Sequence, residues 1–347
     1  MTRACGWDIG GVHIKAAVCT SPRGDDLDWR IEPFAVWRQP DALEGRLAAL
    51  ATALGAGPGC AHALTMTAEL SDVFPDRATG VRAILAAARA ALGARTRVLD
   101  IAGRLVPLEE AAAEPEPVAA ANWMATAMLA ARLVGDGLLV DIGSTTTDIV
   151  PLKGGRPVPV GRTDLDRLAC GELVYTGFLR TPPAALADRV PLRGGFCRTA
   201  PEHFTIMADA YVLLGHLQPD GYTVETPDGR GRTPAECATR LARLVCSDPG
   251  TIGADGLRAI AAHLEERQIA VVAGAIAEAA ARSRTGPVAV VAGAGAALAA
   301  AAARRADRRP LRLAEALVLG GDARGRPPWD AAAPAVALAL LAAGESG

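Results

Sequence analysis

Apolar residues in this chain come in short runs that end on charged or glycine-rich turns. The run ending at Ile9, a second around Lys15 to Val18 and a third over residues 29–37 predict three strands joined as a meander. Residues 41–54 have helical spacing, 62–66 read as a strand, 81–92 as an alanine-rich helix and 97–101 as another short strand. Glu114-Pro115-Glu116-Pro117 then punctuates the chain, and 118–133 resume a helical pattern. After that the opening pattern returns: Leu138-Leu139-Val140, residues 147–150, and Val158-Pro159-Val160 beyond a Gly154-Gly155 turn predict a second meander. Both first strands end in the same triplet, Asp8-Ile9-Gly10 and Asp141-Ile142-Gly143. The triplets lie 133 residues apart, the period of a duplicated domain and far too long for a solenoid repeat.

This patterning predicts an α/β chain of two lobes, residues 1–134 and 135–347, meeting at an interlobe cleft. Residues 165–232, rich in Gly, Pro and charge, are expected to insert loops over the second lobe, and helices to dominate afterwards. One uncharged run, 285–303, approaches membrane-spanning length, but Pro287, its glycines and its alanine content make it a strand, a turn and a helix.

Composition sharpens the picture. Half of the 347 residues are apolar and only 4% aromatic, which predicts helix-rich packing of small side chains. The 36 basic and 38 acidic residues nearly cancel, and no long block of one sign offers a polyelectrolyte footprint, so neither nucleic acid nor a membrane is an expected partner. Seven cysteines without a Cys-x-x-Cys pair read as reduced thiols, and the opening residues lack a sustained apolar run, which together predict a cytoplasmic protein without a signal peptide.

The chemistry points to the two triplets. A strand ending in Asp and followed by a tight glycine turn presents backbone N–H groups to a phosphate, while the carboxylate faces a metal ion or its water. In the first copy Gly10 and Gly11 form the turn and Lys15 can reach an anionic oxygen. In the second, Gly143 is followed by the hydroxyls of Ser144, Thr145, Thr146 and Thr147. Asp8, Asp141 and Asp148 are the candidate ligands for Mg²⁺, which prefers oxygen donors. A single Asp-x-Gly serves equally well as a structural hairpin; two copies after apolar strands favour phosphate binding. Near the C-terminus Val288-Ala289-Val290-Val291 reads as a strand and residues 292–296 as a glycine turn opening a helix, with Gly293 and Gly295 as candidate ligand contacts, although such turns are common in α/β folds. His13 has no histidine at ligand-like spacing, and His203 and His216 are too far apart to share a helical face.

The paired hairpins and the glycine turn resemble the hydantoinase/oxoprolinase-related branch of the actin/hexokinase/Hsp70 superfamily. That resemblance implies a duplicated ribonuclease-H-like fold. Four further segments, Thr65-Met66-Thr67-Ala68-Glu69-Leu70-Ser71-Asp72, Ala121-Asn122-Trp123, Gly171-Glu172-Leu173-Val174-Tyr175-Thr176-Gly177 and Phe204-Thr205-Ile206-Met207-Ala208-Asp209, are similar to the methanofuran-biosynthesis (4-{4-[2-(γ-L-glutamylamino)ethyl]phenoxymethyl}furan-2-yl)methanamine synthases, whose bacterial relatives accompany the tetrahydromethanopterin-linked C1 pathway. The resemblance spans essentially the whole chain. It implies a condensation in which the phenol of a γ-glutamyl-tyramine or tyrosine-type acceptor displaces diphosphate from an aminomethyl-furan-methanol diphosphate, without ATP. The hairpins and Lys15 would hold the leaving group. Glu69, Glu172 and Asp209 become candidate bases, and Asp72, Asn122 and Tyr175 candidate substrate contacts; each also has an ordinary role available as a helix cap, a surface ion pair or a packing residue. Two other readings use the same hairpins: an ATP-dependent kinase or lactam hydrolase, and a nucleotide-gated regulator or filament protein. The chain is short for a hydantoinase subunit, and no helix-turn-helix pattern precedes Asp8.

Overall fold

The computed structural model describes residues 3–57, 59–317 and 329–345. The first part of the chain lays down β1 (Ala4–Ile9), β2 (His13–Cys19), β3 (Asp28–Pro33), α1 (Leu43–Ala53), β4 (Ala61–Met66), α2 (Arg77–Leu92), β5 (Arg97–Leu99), β6 (Leu105–Pro107), α3 (Leu108–Ala113) and α4 (Asn122–Val134). The second part follows with β7 (Gly137–Ile142), β8 (Thr147–Lys153), β9 (Arg156–Pro157), α5 (Asp164–Cys170), β10 (Leu173–Val174), the hairpin β11 (Arg189–Leu192) and β12 (Gly195–Arg198), and α6 (Met207–Leu214). It ends with α7 (Pro234–Arg243), α8 (Pro249–Ile252), α9 (Ala254–Ser283), β13 (Val288–Ala292), α10 (Ala296–Arg305), β14 (Arg309–Arg312), α11 (Leu313–Ala316) and α12 (Ala333–Glu345).

Two sheets repeat one topology. In the first, the antiparallel meander β3-β2-β1 continues through parallel β4 and β5 and ends on β6; in the second, β9-β8-β7 is followed by parallel β13 and β14, and β10 also pairs with β8. Register makes the repetition exact at the motifs: Asp8 lies opposite Lys15, and Asp141 opposite Asp148. This is the duplicated ribonuclease-H-like, two-lobed fold of the actin/hexokinase/Hsp70 type.

Strand alternation builds three apolar layers, because successive side chains point to opposite faces of a sheet. Trp7, Ile9 and Leu64 pack outward against α1, α2 and α3. Leu138, Val140 and Ile142 pack outward against α6, α7, α9 and α10. Between the sheets, Ala4 and Ala63 of one and Leu139 and Val290 of the other close on α4 and α12. Alanine permits this closeness. Gly6 lies beneath α12, where a Cβ would come within 2.9 Å of the Leu338 Cβ and into the Ala335 carbonyl oxygen.

The predicted strands and helices of the first 134 residues are found within a few residues of their expected places. The uncharged run at 285–303 is β13, a turn and α10, and none of the described helices is long and apolar enough to cross a membrane. Two differences stand out. Val158-Pro159-Val160 is not a strand: pairing stops at the two-residue β9, and Val158 and Val160 are exposed, because the flanking prolines cannot donate to a ladder. Residues 165–232 are more regular than expected. They hold α6, whose residues Met207 to Val212 are all buried, the charged Asp209 among them, so no polar face alternates with an apolar one to announce the helix.

Candidate functional site

Both hairpins open on one cleft of about 970 Å³ between the lobes. Gly10, Gly11 and Lys15 line it from the first lobe, and Gly143, Ser144, Thr145 and Thr146 from the second. The Gly10 N–H closes its turn on the His13 carbonyl at 2.9 Å, and the Gly143 N–H does the same on Thr146 at 2.9 Å. Those two amides are therefore committed. The amides of Gly11, Val12, Ser144, Thr145 and Thr146 donate to no protein acceptor among the described residues, leaving a ring of N–H groups suited to an anion.

Beneath the first turn Asp8 is fully buried, with Oδ2 2.9 Å from Lys15 Nζ and Oδ1 without a partner among the described residues. Burial alone would lower the Lys15 pKa, but Asp8, aided by Asp141 and Asp148, holds it above the ordinary range. Asp141 lines the cleft, and burial, together with the neighbouring Asp148, pushes it up to about 7 against the pull of Lys15. Asp148 is also raised by burial, although Arg167 sits 2.9 Å away. No group of three His, Cys, Asp or Glu among the described residues could hold a metal ion by itself.

Of the candidate bases, one is in the cleft. Glu69 is 1% exposed, its carboxyl pushed up to about 7 by burial despite Arg77 at 4.0 Å, and its Oε2 has no hydrogen-bond partner among the described residues. Glu172 is not: it accepts from the Val160 and Gly161 amides at 2.9 and 3.1 Å and fixes the loop before α5. Nor is Asp209, which lies fully buried under Arg240 at 2.7 Å, with Tyr222 and Thr205 donating to it. Both carboxylates hold the second lobe together and face no cleft, which removes them as bases. Asp72, Asn122 and Tyr175 line the cleft, Tyr175 as an exposed ring. Thr147 does not, since its hydroxyl is buried and donates to the Thr176 carbonyl at 2.7 Å.

The C-terminal glycine turn has a packing role. Gly293, at φ +86°, reaches the cleft, but a Cβ there would enter the Asp141 carboxylate and the Ile142 carbonyl. Gly295 lies off the cleft with Ile142 Cγ2 2.6 Å from where its Cβ would be. The turn thus braces the second hairpin from behind.

Several cleft residues had no motif to announce them. Arg77 of α2 bridges the lobes to Asp164 of α5 at 3.2 Å. Arg167 stacks 4.0 Å over the Trp123 ring, and Arg312 pairs with Asp330 at 2.7 Å. On α5 the usual pattern is inverted: Leu165 and Leu168 are exposed while Arg167 is 1% exposed, a reversal visible only once the ion pair with Asp148 is known.

Duplicated sheets with paired glycine hairpins on one charged cleft define a two-lobed enzyme of the actin/hexokinase/Hsp70 type. The hydantoinase/oxoprolinase family model matches residues 61–311. The (4-{4-[2-(γ-L-glutamylamino)ethyl]phenoxymethyl}furan-2-yl)methanamine synthase of Methanocaldococcus jannaschii is 38% identical over 253 residues, covering 73% of this chain and 74% of that protein. The synthase of the same name from Methanococcus vannielii is 36% identical over 118 residues, 34% of this chain and 53% of that one. Among solved structures, nucleotide-free acetone carboxylase shares the fold with a TM-score of 0.60 at 11% identity, over 97% of this chain and 70% of that one. The chain belongs to the hydantoinase/oxoprolinase family and, within it, to the family of these furanyl-methanamine synthases.

Proposed function

We propose that the chain joins an aminomethyl-furan-methanol diphosphate to the phenol of a γ-glutamyl-tyramine or tyrosine-type acceptor, forming an aryl ether and releasing diphosphate in methanofuran or methylofuran biosynthesis. The name of its relatives describes such an ether, a phenoxymethyl furan with a γ-glutamylaminoethyl arm. One observation carries the reading: the amides of both hairpins that lack acceptors among the described residues and the buried Glu69 carboxyl open on the same cleft.

The phenol, with a pKa of ~10, needs a base at neutral pH. Glu69 takes its proton, the phenolate oxygen bonds to the furanyl methylene carbon, and the bond from that carbon to the diphosphate oxygen breaks, its electron pair leaving with the diphosphate. The amides of Gly11, Val12 and Ser144 to Thr146, the hydroxyls of Ser144, Thr145 and Thr146, and Lys15 receive the charge that builds on the leaving group. Trp123, Tyr175 and Phe178 supply aromatic surface along the cleft for the rings of the two substrates. Of this chain's residues, Asp141 and Asp148 on the cleft wall, with the Asp8 oxygen that has no partner among the described residues, would hold a divalent cation. Mg²⁺ bound there would supply Lewis-acid neutralisation of the leaving group. We place the step in the cytoplasm, where seven free cysteines stay reduced.

The test incubates the protein with the furanyl diphosphate and the phenolic acceptor, following ether by mass spectrometry and diphosphate release. Ether formation is expected, and Asp141→Ala should lose most of it. ATP turnover without ether would overturn the proposal, and full turnover by Asp141→Ala would remove the second hairpin from the chemistry.

A further inference from the structure

Five cations among the described residues line the cleft, and four are neutralised in place. Lys15 pairs with Asp8 at 2.9 Å, Arg77 with Asp164 at 3.2 Å, Arg167 with Asp148 at 2.9 Å and Arg312 with Asp330 at 2.7 Å. Arg180 is the fifth. Among the described residues its guanidinium makes no ion pair and no hydrogen bond; its Cζ lies 6.0 Å from the centroid of Trp37, on the other lobe. That separation is at the outer limit of a cation–π attraction, whereas Arg167 sits at 4.0 Å over Trp123 in the same cleft. The head of Arg180 is exposed and weakly held.

Its backbone is the opposite. The Arg180 and Leu179 amides both donate to the Ser144 carbonyl, at 2.9 and 3.0 Å, and the Phe178 amide donates to Gly143 at 2.8 Å. The residue is pinned to the second hairpin, and a Cβ on Gly177 would strike the Thr145 backbone at 2.5 Å, so this segment and the hairpin move as one piece. A long, free cation is thus mounted on a fixed base beside the amides of Ser144 to Thr146. The other four cations of the cleft are each held by a carboxylate, so among the described residues a multiply charged anion entering it meets no other uncommitted positive side chain.

Resting on the transferase reading above, we propose that Arg180 is a catalytic cation that leaves Trp37 and closes on the departing diphosphate, its planar fork donating to non-bridging oxygens as the methylene C–O bond breaks. Lys15 and Arg167 are held by their carboxylates and stay in place; Arg180 supplies the charge that arrives with the substrate.

The experiment titrates inorganic diphosphate, with and without magnesium, into wild type, Arg180→Gln and Arg180→Lys, and measures steady-state condensation alongside. Circular dichroism confirms that each variant folds, and the lysine variant, which keeps the charge but not the planar fork, carries the test if the glutamine variant does not fold. Arg180→Gln should bind diphosphate about tenfold more weakly or worse, and lose about 100-fold in kcat with the phenol KM within about twofold. Arg180→Lys should recover part of both. Unchanged diphosphate affinity in Arg180→Gln would overturn the assignment. So would a loss confined to the phenol KM, which would give Arg180 to a carboxylate of the acceptor. The titration is independent of the chemistry: a wild type that binds diphosphate but makes no ether would refute the transferase reading and leave the Arg180 result interpretable.

Discussion

Replacing Glu69 by Gln should make the protein more stable and less active, and the two effects should share one titration. The carboxyl rises from 4.5 in an unstructured chain to about 7 when folded, chiefly through burial. A carboxyl raised on folding binds its proton more tightly in the native state, so its effect on stability is neutral below pH 4.5 and becomes a growing penalty as pH rises through 7. At about 1.4 kcal/mol per pKa unit the penalty above pH 8 is on the order of 3 kcal/mol, undiminished by solvent because Glu69 is 1% exposed. Glutamine has the same shape and no charge to desolvate. Urea unfolding should therefore give matching stabilities for Glu69→Gln and wild type near pH 4, and a variant more stable by roughly 2–3 kcal/mol near pH 8. Over the same range the condensation rate of wild type should climb with an apparent pKa near 7, and the variant should be slower by about 10²–10⁴-fold, the usual worth of a positioned base. A stability difference that does not change with pH, or that favours wild type at pH 8, would refute the assignment of Glu69 as a buried carboxyl whose burial outweighs Arg77 4.0 Å away.

Two further substitutions test the fold beneath the site. Arg240→Met strands the fully buried Asp209 without its cation and should cost about 3–5 kcal/mol in denaturant unfolding, while kcat per folded molecule stays close to wild type; an unchanged midpoint would mean the pair is not buried as described. Gly6→Ala drives a methyl group into α12 and should destabilise by about 1–3 kcal/mol, read as a lower Tm, and a Tm equal to wild type would show that the helix does not lie on β1 this closely.

The duplicated strand–turn–strand units were legible because local pattern and turn chemistry determine them. Asp8 and Asp141 end apolar strands, glycines follow, and the structure places both turns on one cleft. The fate of the other carboxylates was not legible, since it depends on residues distant in sequence. Glu69, Glu172 and Asp209 look alike as letters. What separates them is that Glu172 meets the Val160 amide, Asp209 meets Arg240 thirty-one residues later, and Glu69 meets a cation only at 4.0 Å. Arginines hide for the same reason: nothing local distinguishes the buried Arg167 from the exposed Arg180.

The seating of α12 on β1 also sets an order of assembly on the ribosome. The inner face of the first sheet, Ala4, Ala17 and Ala63, is synthesised well before the helix that covers it, Ala333–Glu345. At ordinary elongation rates that apolar face waits roughly 20–60 s for its lid, long enough to be a target for holdase chaperones and a hazard for self-association. The two ends of the described chain are then stitched together in a single event, so the first lobe reaches its final form only after the second has been translated.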